Sequence, residues 1–314
     1  MARFVYLILS HADVPLLERL AGLIRRTSPE SLVLVHHDAS KSALPPNSCA
    51  GDPRVVRLAP SLAGDWGSFA LVDMVRLGLR YLREAAVDYD YLTLLSGADY
   101  PIRPLREFEA ALAASHDGMM GLEDTPPGIL DRYDFAWFRL PRSIENGLTH
   151  RVVGRLGGLN RKQPYLRFQS GRVGCRIGVR PRTNPLDAMR IYKGPQWWAL
   201  SARAIATIET FIAEHPAYVD WFRRRTLIPD EAFFHTIVFN AVGLNVARDN
   251  GRYVRWSRPD SGSPDRLDLP DLPALRASGK FFARKFASDS SAGLLDALDE
   301  LTTNATHYAR PPTS

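Results

Sequence analysis

Five short stretches of the chain carry side chains able to do chemistry. LVLVHHDAS places His36, His37 and Asp38 directly after an apolar run. Neighbouring side chains on an extended strand point to opposite faces, so three consecutive residues make a poor metal chelate. A carboxylate at a strand end is better suited to a hydrogen bond with a ribose or a base. Asp88-Tyr89-Asp90 is a DxD pair, a pattern that can hold a divalent ion against a nucleotide diphosphate when it follows a hydrophobic strand. Here it precedes the apolar run Tyr91–Leu95, at the wrong edge, and reads as a helix–strand connector. The segment that does follow that run, Ser96-Gly97-Ala98-Asp99-Tyr100, holds one carboxylate. That is a weak Mg²⁺ site, because the ion takes one or two carboxylates together with phosphate oxygens. IPDEAFFHT sets Pro229, Asp230 and Glu231 at the first turn of a helix. Capping and the helix dipole explain acids there without any function, yet the same dipole keeps a carboxylate ionised, which suits a general base. Glu231 and His235 are four apart, on one helix face. GKFFARKF concentrates Lys280, Arg284 and Lys285. It is either a solvated basic turn or a cationic clamp for a diphosphate, doing the charge work of a metal.

The elements that must position these residues follow from periodicity. FVYLIL (4–9), LVLV (32–35), VVRL (55–58) and YLTLL (91–95) are apolar runs of strand length. Between them lie helical patterns. Asp13 stands where an N-cap belongs, before Leu16, Leu17, Leu20, Leu23 and Ile24, and Ser68 stands likewise before Phe69, Val72, Val75, Leu79 and Leu82. A helix is expected over 105–114 and a strand near Met119–Leu122. Strands alternating with helices predict a parallel α/β sheet. In such sheets the ligand site lies past the carboxyl ends of the strands, which directs attention to residues 10–13, 36–40, 59–68 and 96–104. Residues 124–190 are rich in Arg, Gly and Pro with little periodicity and read as a long irregular insertion; long ordered loops are usually functional. Beyond it, QWWALS, a helix from Ala202 through Ile212, a helix from Pro229, short strands in LNVAR and YVRW, and an amphipathic helix near Ala292–Leu301 are expected.

Composition narrows the classes. The chain has 314 residues, 45% hydrophobic and 24% charged, a globular balance that excludes a mainly disordered chain. No apolar run reaches 18 residues, so no membrane span is expected. Two cysteines, Cys49 and Cys175, make no disulfide framework, and no signal peptide pattern opens the sequence; both point to a reducing, cytoplasmic setting. The net charge is +6 and the pI near 9.4, carried mostly by Arg. That reflects either codon preference or an anionic partner such as a nucleotide or sugar phosphate. There is no P-loop, no GxGxxG after the first strand, no GxSxG and no HExxH.

In order along the chain, YLILSHADVPLLERL, VLVHHDAS, WGSFALVDM, YLTLLSGADYPIRP, GPQWWALS, PDEAFFHT, DNGRYVRW and FFARKF resemble glycosyltransferase family 14. That family holds the core-2 and I-branching N-acetylglucosaminyltransferases and the protein O-xylosyltransferases. LSGADYPIRP and FFHT…FFARKF lean towards the xylosyltransferase branch, while PDE is the form of the other. The resemblance implies a GT-A fold, Rossmann-like with a mixed, mostly parallel sheet. It spans residues 1–302, with 124–190 as an acceptor-side insertion and 303–314 as a flexible tail. It also implies a UDP-sugar donor (xylose, N-acetylglucosamine or glucose), a hydroxyl-bearing acceptor, inversion at the anomeric carbon, and neither metal nor cofactor. Nucleic acid is not an expected partner. The family's catalytic base falls on Glu231. Its diphosphate grip falls on Lys285, with Arg284 beside it and Lys280 nearby, and its uridine pocket on Asp38. Ser10, His11 and Asp99 complete the expected donor side. Glu123, Gln196, Trp197, Trp198 and Trp256 form the expected acceptor and sugar side. Gln196 departs from the xylosyltransferases, which carry Asp there, so an acid–base role at that position is lost. The family's animal members are Golgi membrane proteins with disulfides, whereas this chain looks like a bacterial cytosolic relative. Two rival readings remain: a metal-dependent transferase using Asp99 or the Asp88/Asp90 pair, and a non-catalytic polyanion-binding protein.

Overall fold

A computed structural model describes residues 2–126, 128–258 and 262–303. In chain order the first half comprises β1 (Phe4–Ser10), α1 (Val14–Thr27), β2 (Leu32–His37), β3 (Val55–Arg57), α2 (Ala70–Glu84), β4 (Tyr91–Ser96), β5 (Asp99–Pro101), α3 (Leu105–Ala114) and β6 (Gly118–Met120). The 124–190 segment contributes α4 (Asp131–Asp134), β7 (Ala136–Arg139), α5 (Gly147–Leu156), β8 (Leu166–Gln169) and β9 (Arg176–Val179). Then come β10 (Trp198–Ser201), α6 (Ala202–Glu214), α7 (Pro216–Arg225), α8 (Phe233–Asn240), β11 (Arg252–Val254), α9 (Leu272–Ala277), β12 (Phe282–Arg284) and α10 (Ala292–Thr303).

The central sheet has the order β3-β2-β1-β4-β10-β6. Its first four strands are parallel, and β10 runs antiparallel to both neighbours. Alternation along β1 explains why both faces are covered. Val5, Leu7 and Leu9 join the core on the α2, α6 and α8 side, while Tyr6 and Ile8 join the core on the α1, α3 and α10 side. Truncating one such fully buried leucine to alanine costs about 2–5 kcal/mol. Register aligns Ser10 with His37 and Leu9 with Ser96, so the carboxyl ends of β1, β2 and β4 open on one edge. Asp88 and Asp90 lie at the opposite edge, paired with Arg3 before β1.

Asp13 caps α1, accepting from the Leu16 N–H at 3.2 Å. Its other oxygen accepts from the Ser288 N–H at 2.8 Å, which ties the β1 exit to the chain beyond β12. Several expectations need correction. Ser68 does not cap α2: the N-cap is Phe69, without a side-chain bond, and the Ser68 hydroxyl is buried without a partner. LNVAR forms no strand; there is only a lone bridge between Ala247 and Met119. The 124–190 segment is not irregular, since β7, β9 and β8 make an antiparallel sheet backed by α5. Its short strands are masked in the sequence by Arg, Gly and Pro. Thr303, expected in the tail, closes α10, and residues 304–314 lie outside the described residues. No described helix is long and apolar enough to cross a membrane.

Candidate active site

Glu231 is set by local backbone geometry. Pro229–Glu231 is a 3-10 turn entered through Ile228 in the left-handed region (φ 51) and closed by Ala232 N donating to Pro229 O at 3.1 Å. The α-helix begins only at Phe233. The expectation that Glu231 sits in that helix's first turn is therefore corrected, and with it the shared helix face with His235. Local contacts govern the carboxylate instead. Arg132 reaches it at 3.2 Å and Lys193 lies 3.8 Å away. Lys193 also pairs with Glu123. Burial raises the Glu231 pKa above the ordinary carboxylate value; Lys193 and Arg132 pull it down and Glu123 adds to the rise. Its neighbour Asp230 is buried with one oxygen unpaired. Burial and the Glu231 charge push Asp230 to about 7. His235 is wholly buried and driven down to about 3, so it is neutral.

A glycine contact fixes the adjoining segment. Gly194 N donates to Glu231 O at 2.9 Å, and a Cβ at Gly194 would lie 2.0 Å from Gly121 O. Only glycine permits that approach. From here residues 193–197 run past Glu231 to Trp197, whose ring carries the Arg284 guanidinium at 4.8 Å from its centroid. A cavity of about 700 Å³ opens beside Lys193 and Glu123, lined also by Asp124, Asp134, Arg190 and Arg248.

The residues expected on the donor side lie near the carboxyl ends of β1, β2 and β4. Asp99 is fully buried between Arg252, at 3.3 Å, and Arg284, at 3.6 Å, and it also accepts from the Ser96 N–H at 3.0 Å. It is an ion-pair partner of Arg284 without a hydrogen bond to it. Burial lowers Arg252 to about 10, and the Asp99 charge is what supports its cationic form. Lys285 follows directly and is half-buried. Its pKa is lowered by burial and by the charges of Arg284, Arg266 and Arg172. His11 shares this field: partial burial and Lys285 lower it, with Asp38 opposing. Asp38 itself is 2% exposed. Burial opposes its ionisation, but hydrogen bonds from Ser40 and the Gly64 N–H, with Lys41 nearby, hold it below the ordinary range. It thus ties the β2 exit loop to the 61–65 loop. Ser10 donates to Ala12 O at 3.2 Å and meets His37 at 3.3 Å.

The structure removes Trp198 and Lys280 from the expected site. Trp198 lies on β10, 0% exposed, edge-on to Phe234. Its place on β10 sends it into the core, which corrects its assignment to the sugar side, while Trp197 is half-buried beneath the Arg284 guanidinium. Lys280 pairs with Asp249 and precedes β12, whose far end bears Arg284. At about 3.3 Å per residue, strand extension puts it too far away for the same clamp. Trp256 is 50% exposed after β11 and forms no ring contact among the described residues. Gln196 is half-buried, its amide nitrogen buried and unpaired. Sequence reasoning missed Arg132 and Lys193 beside Glu231, Arg252 beneath Asp99, and Arg172, which stacks on Trp66 at 4.7 Å. Only Lys193 carried a signal, as a lysine in an Arg-dominated chain.

A mostly parallel sheet flanked by helices is consistent with a GT-A-like glycosyltransferase fold. Residues 4–272 match the profile of the Core-2/I-branching enzyme family, and the chain belongs to that glycosyltransferase family. It is similar to a beta-glucuronosyltransferase of Arabidopsis thaliana, 24% identical over 229 residues, 70% of this chain and 44% of the relative. It is also similar to xylosyltransferase 1 of Homo sapiens, 25% identical over 262 residues, 78% of this chain and 24% of the relative. The chain thus spans less than half the length of these curated relatives.

Proposed function

We propose that the chain transfers a sugar from a UDP-sugar to an acceptor hydroxyl by single displacement, with inversion and without a metal. The observation that carries this is the segment 193–197, which meets the part-buried carboxylate of Glu231 through Lys193 and carries the Arg284 guanidinium, next to Lys285, on Trp197. Glu231 accepts the proton of the acceptor O–H as that oxygen bonds to the anomeric carbon. The bond from that carbon to the diphosphate oxygen breaks on the opposite side, which inverts the configuration. Arg284 and Lys285 meet the charge that develops on the departing UDP. A raised pKa makes Glu231 a stronger base, and positioned proton transfer contributes about 10²–10⁴ in rate. A well-placed cationic donor at the leaving group contributes about 3–4 kcal/mol.

Metal independence is supported by the donor set. The carboxylate after β4 is committed to Arg252 and Arg284, and Asp88 and Asp90 are committed to Arg3 at the far edge. Among the described residues no three His, Cys, Asp or Glu side chains gather as a metal site. The names of the relatives point to xylose or glucuronic acid as the sugar, and N-acetylglucosamine follows from the PDE form. The test is a thermal-shift screen of UDP-xylose, UDP-glucuronic acid and UDP-N-acetylglucosamine in EDTA. At 100 times its Kd a donor adds about 2.7 kcal/mol of stability. Stabilisation by one donor that persists in EDTA, with turnover unchanged by Mn²⁺, is expected. Stabilisation that EDTA abolishes would assign the metal-dependent mechanism instead.

A further inference from the structure

Positive charge is distributed unevenly along this chain. Residues 139–182 hold eleven of the 40 Lys and Arg but only Glu145 of the 34 Asp and Glu, so the rest of the chain is net acidic. The same segment also holds most of the exposed large apolar side chains among the described residues. Leu148 is 69% exposed, Val152 48%, Leu159 41% and Tyr165 70%. Leu148 and Val152 are four apart on the outer side of α5, with Arg151 and Arg155 exposed beside them and Arg161 and Lys162 just beyond. None of these four cations has a carboxylate partner among the described residues.

This face is built, not frayed. Asn146 caps α5 by accepting from the Leu148 and Thr149 N–H groups at 3.0 Å. His150 meets Ser170 at 2.8 Å, and Asn160 exchanges two hydrogen bonds with Phe168, at 2.9 and 3.0 Å. Val153, on the inner side of the helix, is buried. The aliphatic side chains therefore point outward on a rigid support.

We propose that the outer face of α5 and the 159–166 loop dock on the surface of an anionic phospholipid bilayer. Unpaired guanidinium groups interleaved with exposed aliphatic groups match phosphate headgroups over the acyl boundary. A second copy of the chain is the wrong occupant, since a two-fold interface here would press one strongly cationic patch against another. A nucleic acid would engage the arginines but gives Leu148 and Val152 nothing apolar to enter. The inference goes beyond the proposed transferase reading and does not depend on turnover. If both hold, an acceptor carried on the bilayer is presented to the Glu231 side, because Arg132 of the same insertion touches Glu231.

The test pellets the whole chain, without donor sugar, with vesicles of phosphatidylcholine alone or enriched in phosphatidylglycerol. Binding to the anionic vesicles should be at least about tenfold tighter than to neutral ones. Leu148→Ser with Val152→Ser, and separately Arg151→Glu with Arg155→Glu, should each weaken it about tenfold or more at unchanged Tm. Wild-type protein that stays in the supernatant with anionic vesicles overturns the proposal. So does a Leu148→Ser/Val152→Ser protein that pellets like wild type, because purely ionic adsorption, the behaviour of a nucleic-acid or acidic-polymer binder, needs no aliphatic contact.

Discussion

Asp99→Asn separates the two roles open to the carboxylate after β4. In the structure Asp99 is wholly buried and compensates Arg252, whose side chain is 1% exposed, while also steadying Arg284 at 17%. Asparagine keeps an oxygen that can accept from the Ser96 N–H, so the turn survives. Its amide group, however, faces a guanidinium with no charge to offer. Leaving one partner of a buried pair uncompensated costs about 3–5 kcal/mol. At about 2–4 °C per kcal/mol for large domains, the unliganded protein should melt roughly 6–20 °C lower. Loosening Arg284 should also weaken UDP about tenfold, or about 1.4 kcal/mol. Differential scanning fluorimetry and UDP titration in EDTA read both quantities. A metal ligand would behave in the opposite way: its loss would leave the apo melting temperature near wild type and abolish a dependence on Mn²⁺. An Asp99→Asn protein with unchanged apo stability would refute the ion-pair account.

Glu231→Gln should fold, retain UDP binding and lose about 10²-fold or more in kcat; near-wild-type turnover in a purified variant removes Glu231 as the base. Because the raised pKa belongs to a group that must be ionised to act, kcat should fall with acidification at a pH above the ordinary glutamate value, and a flat profile down to that value would contradict the assignment. Asp230 is raised from 3.8 to about 7, so the folded state holds its proton more tightly than the unfolded chain. Its contribution is present below the unfolded pKa and is lost as pH rises towards 7, at most about 4 kcal/mol. Asp230→Asn should accordingly raise Tm more at pH 8 than at pH 5, and equal shifts at both would show that Asp230 is not buried as described. Lys285→Ala should weaken UDP more than uridine, because the lost contact is to the diphosphate; equal weakening would place Lys285 in a structural role.

The parallel strands, α1 and α3 were legible because their apolar residues repeat at the period of one element and bury one face each. The site was legible only where chemistry and position coincided. Glu231, Arg284 and Lys285 stand in short motifs at element ends, and the segment 193–197 contacts both Glu231 and Arg284. Trp198 was misplaced because adjacent tryptophans look alike in sequence, and only strand alternation decides which one enters the core. The first turn at Glu231 was misread because Pro, Asp and Glu favour a 3-10 turn and an α-helix start equally well. Arg132 and Arg252 were invisible: arginines are frequent in this chain, and their partners lie 99 and 153 residues away. The folded strands of the insertion escaped notice because their alternation is carried by arginine stems as much as by aliphatic groups.

The segment from Lys193 to Trp197 touches Glu231 at one end and supports Arg284 at the other. It therefore works as a ruler. In the proposed reaction the gap between proton acceptor and leaving-group clamp follows from a covalent span, pinned at Gly194 against Gly121. Adding one extended residue to that span would lengthen it by about 3.3 Å, more than the tolerance of a reacting geometry. In that reaction the length of this strap bounds how large a sugar can be handed across.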